Sequence, residues 1–134
     1  YGTVSNLNLK EYAQKANRNI MKIIQAEHVK CVKNLDEILE VPGIDLVICG
    51  PMDLSASVNK LGKFHDPEVL DLFDQIIQKC KEHHIKYGLS IGCGVDVAEY
   101  WIRNGANFVS VGNPYDYFRI MCDDMLKHFR SIRP

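Results

Sequence analysis

The chain has 134 residues, 46% of them hydrophobic and 25% charged, enough for one domain with a real core. Sixteen basic and seventeen acidic side chains give a net charge of −1 with no basic block, which argues against a nucleic-acid partner. No apolar run approaches the roughly 18 residues of a membrane helix, and five cysteines without a C-x-x-C pair argue against a disulfide framework or structural zinc and for a reducing cytoplasm.

Residues 1–7 read as loop. The chain opens at Tyr1 without a Met, as expected where the natural N-terminus lies upstream. Asn8 is placed to cap a helix over 9–17, with Glu11 as its reciprocal partner. The thin apolar set of that helix suits a surface position. Residues 20–26 follow as a strand rich in Ile and without alternation, the pattern of a strand covered by helices on both faces. Residues 28–40 read as helix through Val29, Val32, Leu35, Ile38 and Leu39. A break near Asn34 leaves Asp36 as cap of the second half, and Pro42-Gly43 ends it.

Residues 46–50 form a second continuously apolar strand, with Cys49 as a small core residue. A long irregular stretch over 51–65 is the kind of loop that carries function, with a short helical turn beginning at Leu54-Ser55-Ala56. Asp66-Pro67 starts a helix with Asp as cap and Pro in the first turn. Its buried side is Val69, Leu70, Leu72, Phe73, Ile76, Ile77 and Cys80. A strand over 87–91 closes in Gly92-Cys93-Gly94, and a helix over 95–103 stops at Asn104-Gly105. A fourth strand spans 108–112. Asn113-Pro114 opens the last helix, running to Ser131, with Tyr117, Phe118, Met121, Met125, Leu126 and Phe129 as its buried stripe and Trp101 as core. The recurring unit is β-α, so the fold class is α/β with parallel strands. An eight-stranded (β/α)8 barrel needs about 250 residues. One domain over 1–134 therefore supplies half of such a barrel or a small open sheet.

The chemistry gathers at two strand ends. Gln25-Ala26-Glu27 and Gly50-Pro51-Met52-Asp53-Leu54-Ser55 each place one carboxylate just past an apolar run. Parallel strands end on one edge of the sheet about 4.8 Å apart, so Glu27 and Asp53 can converge on one ion. Two hard oxygen donors suit Mg²⁺ or Mn²⁺. Gln25 points to the same side as Glu27, where its amide can donate to a substrate oxygen. Gly50 allows close approach of the backbone, and the N–H groups of Met52 and Asp53 can hold a carboxylate. Taken singly, Glu27 is equally a helix-start residue and Asp53 a cap. His28 and His65 read as surface residues. His83 and His84 suit the negative end of a helix dipole.

These residues resemble the Q-x-E and G-P-x-D-L-S signatures of the HpcH/HpaI aldolase family, the metal-dependent class II pyruvate aldolases. Tyr1-Gly2 with Tyr12 and Ala16-Asn17 also agree with it. So do Asn34 through Leu39, Pro42-Gly43-Ile44-Asp45, Pro67-Glu68-Val69 and the ending Gly105-Ala106…Phe108-Val109…Val111-Gly112. The resemblance implies the C-terminal half of a TIM (β/α)8 barrel, strands five to eight. It assigns Glu27 and Asp53 as metal ligands for Mg²⁺, Mn²⁺ or Co²⁺. It assigns Gln25, Met52 and the Asp53 backbone to the pyruvate moiety of a 2-oxo acid. Met52 departs from the small residue of that family pattern, which affects pocket size. The family's base and enolate-stabilising arginine match nothing here, so no catalytic residue is assigned. The implied reaction is reversible retro-aldol cleavage of a 4-hydroxy-2-oxo acid to pyruvate and an aldehyde, by a cytoplasmic homo-oligomer. Two alternatives stand beside it: a CoA-thioester lyase of the citrate lyase β-subunit type, and a non-catalytic half-barrel serving only binding or assembly through its unpaired sheet edges.

Overall fold

The computed structural model describes residues 9–92 and 94–132. In chain order the elements are α1 (Leu9–Asn19), β1 (Ile23–Ala26), α2 (Val29–Lys33), α3 (Leu35–Leu39), β2 (Leu46–Cys49) and α4 (Pro51–Ala56). They continue with α5 (Pro67–Glu82), β3 (Lys86–Ile91), α6 (Val95–Arg103), β4 (Phe108–Val111) and α7 (Pro114–Ser131). The four strands form one sheet in the order β1-β2-β3-β4. Every neighbouring pair is parallel, so all four strands finish on the same edge.

Local sequence explains most boundaries. The Asp66 carboxylate accepts from the Glu68 N–H at 3.1 Å and Pro67 sits at the first helical position, so α5 starts where its cap dictates. Its Val69, Leu72, Phe73, Ile76, Ile77 and Cys80 recur at helical spacing and are buried. That stripe packs on α2, α3, β2 and β3. The register puts Ile24, Val47 and Tyr87 side by side, and likewise Ala26, Cys49, Leu89 and Val109. These residues belong to the core cluster or pack against it, beneath the helices. Trp101 closes the core from α6. It is 0% exposed, and its ring meets Phe73 edge-on at 5.5 Å.

Several expectations are corrected. α1 continues to Asn19, so the first strand begins at Ile23 rather than residue 20. Its continuous apolar run does not mean helices on both faces. On the opposite face Ile23, Gln25, Ile48, Ser90 and Phe108 are exposed or half-buried, while Leu46 and Gly88 are buried. The segment 28–40 is two helices, and Asn34, not Asp36, is the N-cap residue of the second. The stretch after β2 is helical from Pro51, three residues earlier than the turn expected at Leu54. The last helix holds its expected span, but its stripe is not buried. Tyr117, Phe118, Met121, Met125, Leu126 and Phe129 are all about half exposed or more. Among the described residues β4 pairs on one side only, so α7 has no further strand there to pack across. The cap at Asn8, the loop 1–7 and Cys93 lie outside the described residues.

Candidate metal centre

The site is built where β1 and β2 end. β1 delivers Gln25 and Glu27 to one side, because side chains two apart on a strand share a face. The ladder continues one step past β2 through a 3.1 Å bond from the Gly50 N–H to the Ala26 carbonyl. Gly50 therefore lies beside Glu27. A Cβ built on Gly50 would stand 2.6 Å from Gln25 Nε2, 3.0 Å from Glu27 Cβ and 3.2 Å from Glu27 Oε2. The space is already used: Gln25 Nε2 donates to Glu27 Oε2 at 2.6 Å. Gln25 is thus bonded first to its own neighbour, and only its second amide hydrogen remains for a substrate.

Gly50 also opens α4. Its carbonyl accepts from the Leu54 N–H at 2.9 Å, and Pro51 occupies the first turn, where no N–H is needed. Met52 and Asp53 follow in that first turn, both exposed, with no side chain capping it. The opposite side of α4 is anchored. Leu54 and Ser55 are fully buried, Ser55 Oγ donates to the Met52 carbonyl at 2.8 Å, and it accepts from the Gly62 N–H at 3.0 Å. Ser57 Oγ donates to the Leu54 carbonyl at 2.7 Å and accepts from the Val29 N–H at 3.0 Å. This last bond ties the end of α4 to the start of α2, two residues beyond Glu27. The two carboxylate-bearing segments are therefore fastened to each other as well as to the sheet.

The structure brings Gln25 and Glu27 into contact and sets Asp53 on the adjoining strand's helix, at the same edge. The Cys31 thiol on α2 is raised above its usual range, by burial first and then by the Glu27 carboxylate. Carboxylates are the donor type a hard divalent cation takes: Glu27, steadied by the Gln25 amide, lies beside Gly50, and Asp53 stands on the helix that Gly50 opens. Among the described residues no group of three or more His, Cys, Asp and Glu side chains gathers.

Elsewhere on that edge His65 Nε2 pairs with Asp96 at 2.7 Å, joining the stretch after α4 to the start of α6. Both are exposed, as expected for His65, and the pairing had no signal in either local sequence. His28 caps α2 through Nδ1, which accepts from the Lys30 N–H at 3.1 Å. His83 lies at the end of α5, 3.2 Å from Asp36.

The sequence pattern of the HpcH/HpaI aldolase/citrate lyase family matches residues 4–119. The chain belongs to that family. It is 31% identical over 131 residues to 5-keto-4-deoxy-D-glucarate aldolases of Enterobacter sp. (strain 638) and Salmonella gallinarum, covering 98% of this chain and 49% of each relative. The chain thus spans about half the length of the curated relatives it matches. An HpcH/HpaI aldolase structure from Desulfitobacterium hafniense DCB-2 superposes with a TM-score of 0.82 at 24% identity, over 95% of this chain and 49% of that one. The structure of the citrate synthase SbnG gives 0.77 at 24% identity, over 96% and 52%. The α/β half-barrel is thereby established as the fold, and this HpcH/HpaI chain carries its two carboxylates at the C-terminal strand edge. No helix among the described residues is long and apolar enough to cross a membrane.

Proposed function

We propose that the chain is the metal-binding half of a class II aldolase that cleaves a 4-hydroxy-2-oxo acid to pyruvate and an aldehyde. One observation carries the reading: hydrogen-bonded parallel strands lead to Glu27 and to the helix bearing Asp53, and Gly50, which opens that helix, lies against Gln25 and Glu27. Glu27 and Asp53 would hold Mg²⁺, Mn²⁺ or Co²⁺. Gln25 keeps the Glu27 carboxylate in one orientation. When bound, the ion supplies Lewis-acid stabilisation of the negative charge that builds on the keto oxygen as the carbon–carbon bond breaks. Met52 and the Asp53 backbone stand where the substrate carboxylate would be received, with an exposed thioether rather than a small side chain bounding the space. The base that takes the 4-hydroxyl proton is assigned to no residue here. A homo-oligomer is part of the same reading.

The test is pyruvate release by the full-length protein at saturating Mg²⁺ or Mn²⁺. Asp53→Asn should lower turnover by at least a hundredfold, and Glu27→Gln similarly. Wild-type turnover in Asp53→Asn would defeat the reading. Preferential cleavage of a malyl-type CoA thioester would move the substrate to the other branch of the family.

A further inference from the structure

We propose that Gly50 is a positioning residue for the carboxylate pair, acting through Gln25. The proposal deepens the metal reading above and rests on it for its functional consequence. Backbone freedom does not explain a glycine here. Its φ of −100° and ψ of 87° lie in territory open to ordinary residues. What Gly50 supplies is space. The atom nearest to its absent Cβ is the Gln25 amide nitrogen at 2.6 Å, the same atom that donates to Glu27 Oε2 at 2.6 Å. Glu27 Oε2 itself would lie at 3.2 Å. A methyl group at residue 50 therefore occupies the volume in which the amide and carboxylate meet. Its next neighbour, Glu27 Cβ at 3.0 Å, moves by a few tenths of an ångström.

The atom displaced furthest is the far end of a flexible, exposed side chain, so the backbone need give only the few tenths of an ångström that Glu27 Cβ requires. The Gln25 amide swings into solvent and the Glu27 carboxylate loses its fixed orientation. The same residue accepts the first hydrogen bond of α4, from Leu54, so Asp53 is launched from the point where Glu27 is steadied. One position without a side chain thus sets both ligands relative to each other. Loss of a partner that orients a metal ligand costs 10- to 100-fold in affinity.

The experiment measures Mn²⁺ binding by calorimetry in the full-length protein for wild type, Gly50→Ala, Gln25→Ala and the Gly50→Ala/Gln25→Ala double variant, with Glu27→Ala made as a reference for the resonances. Thermal unfolding in a chelator and the Gln25 side-chain NH₂ resonances of the metal-free protein are recorded beside it. Gly50→Ala should weaken Mn²⁺ about tenfold or more, with its metal-free melting temperature within a few degrees of wild type. The double variant should bind within about twofold of Gln25→Ala alone, because the methyl group then has no amide to displace. The hydrogen-bonded NH₂ resonance should move to its solvent position in both Gly50→Ala and Glu27→Ala. Losses that multiply in the double variant would overturn the proposal, as would wild-type Mn²⁺ affinity in Gly50→Ala. An NH₂ resonance indifferent to Gly50→Ala would overturn it whatever the metal does. Should wild type bind no Mn²⁺ while that resonance responds, the metal reading fails and the positioning of Glu27 stands.

Discussion

Gly88→Ala tests the packing of the sheet most sharply. Gly88 pairs with Phe108 across β3 and β4. A Cβ there would lie 2.0 Å from the Phe108 carbonyl oxygen, 2.8 Å from its carbon and 2.9 Å from its Cβ, whereas ordinary contact begins at 3.4 Å. Two of these three neighbours are backbone atoms, so no rotamer change relieves them. β4 must withdraw by more than an ångström locally. Ladder hydrogen bonds tolerate only about 2.7–3.2 Å between nitrogen and oxygen, so the bonds around this pair break. One or two lost bonds with desolvated partners cost about 1–3 kcal/mol each, and the overpacking adds a similar amount. The expected loss is roughly 2–9 kcal/mol, a large share of the 5–15 kcal/mol typical of a domain. Urea unfolding followed by fluorescence measures it, because the single Trp101 is fully buried and reports on the core. Gly92→Ala is the control. Its nearest neighbour, Asp116 Oδ2, would be at 3.5 Å, so the change should stay within about 0.5 kcal/mol. A Gly88→Ala midpoint matching that of Gly92→Ala would refute the reasoning.

Ser57→Ala removes the bond from α4 to the start of α2 and should destabilise the protein by about 1–2 kcal/mol, read from the same urea curves. Mn²⁺ affinity should fall with it, and unchanged affinity would mean that this bond does not fix the two carboxylate segments. Acid should weaken the fold in a defined window. Lys79 holds the Asp36 carboxyl below the usual range, Lys60 does so for Asp66 and His65 for Asp96. A depressed carboxyl contributes stability above its unfolded value near pH 4, lost as pH falls through the folded value. Urea midpoints between pH 6 and 2 should therefore drop in wild type and flatten in Asp36→Asn/Asp66→Asn, and an unchanged slope would count against these pairs. Burial pushes the Cys80 thiol up to about 12 and raises the Cys49 thiol further. Neither should react with a thiol reagent until the protein unfolds, and rapid native labelling of either, located by peptide mapping, would contradict the packing.

What was legible in the sequence was whatever depends on near neighbours in the chain. Asp66-Pro67 and Asn113-Pro114 announce α5 and α7 because caps and first-turn prolines act within three residues. The stripe of α5 announces its burial because helical spacing is a local property. Consecutive β-α units imply parallel strands, and parallel strands put Glu27 and Asp53 at one edge.

Tertiary structure decided the rest. The stripe of α7 repeats as regularly as that of α5, yet none of it is buried, because burial needs a facing surface and none covers the stripe among the described residues. The unbroken Ile run of β1 says nothing about which face is covered; α5 and α6 pack on the sheet, and Ile23 and Gln25 are left exposed. The bonds of Ser57 to Val29, of His65 to Asp96 and of Lys79 to the carbonyl of Val32 join residues 28, 31 and 47 positions apart. No periodicity or cap encodes such pairs, since each exists only once the sheet has brought distant strand ends together. Sequence chose the donors at the strand ends; the register of β1 on β2 placed Gly50 against Gln25 and Glu27 and so determined how they meet.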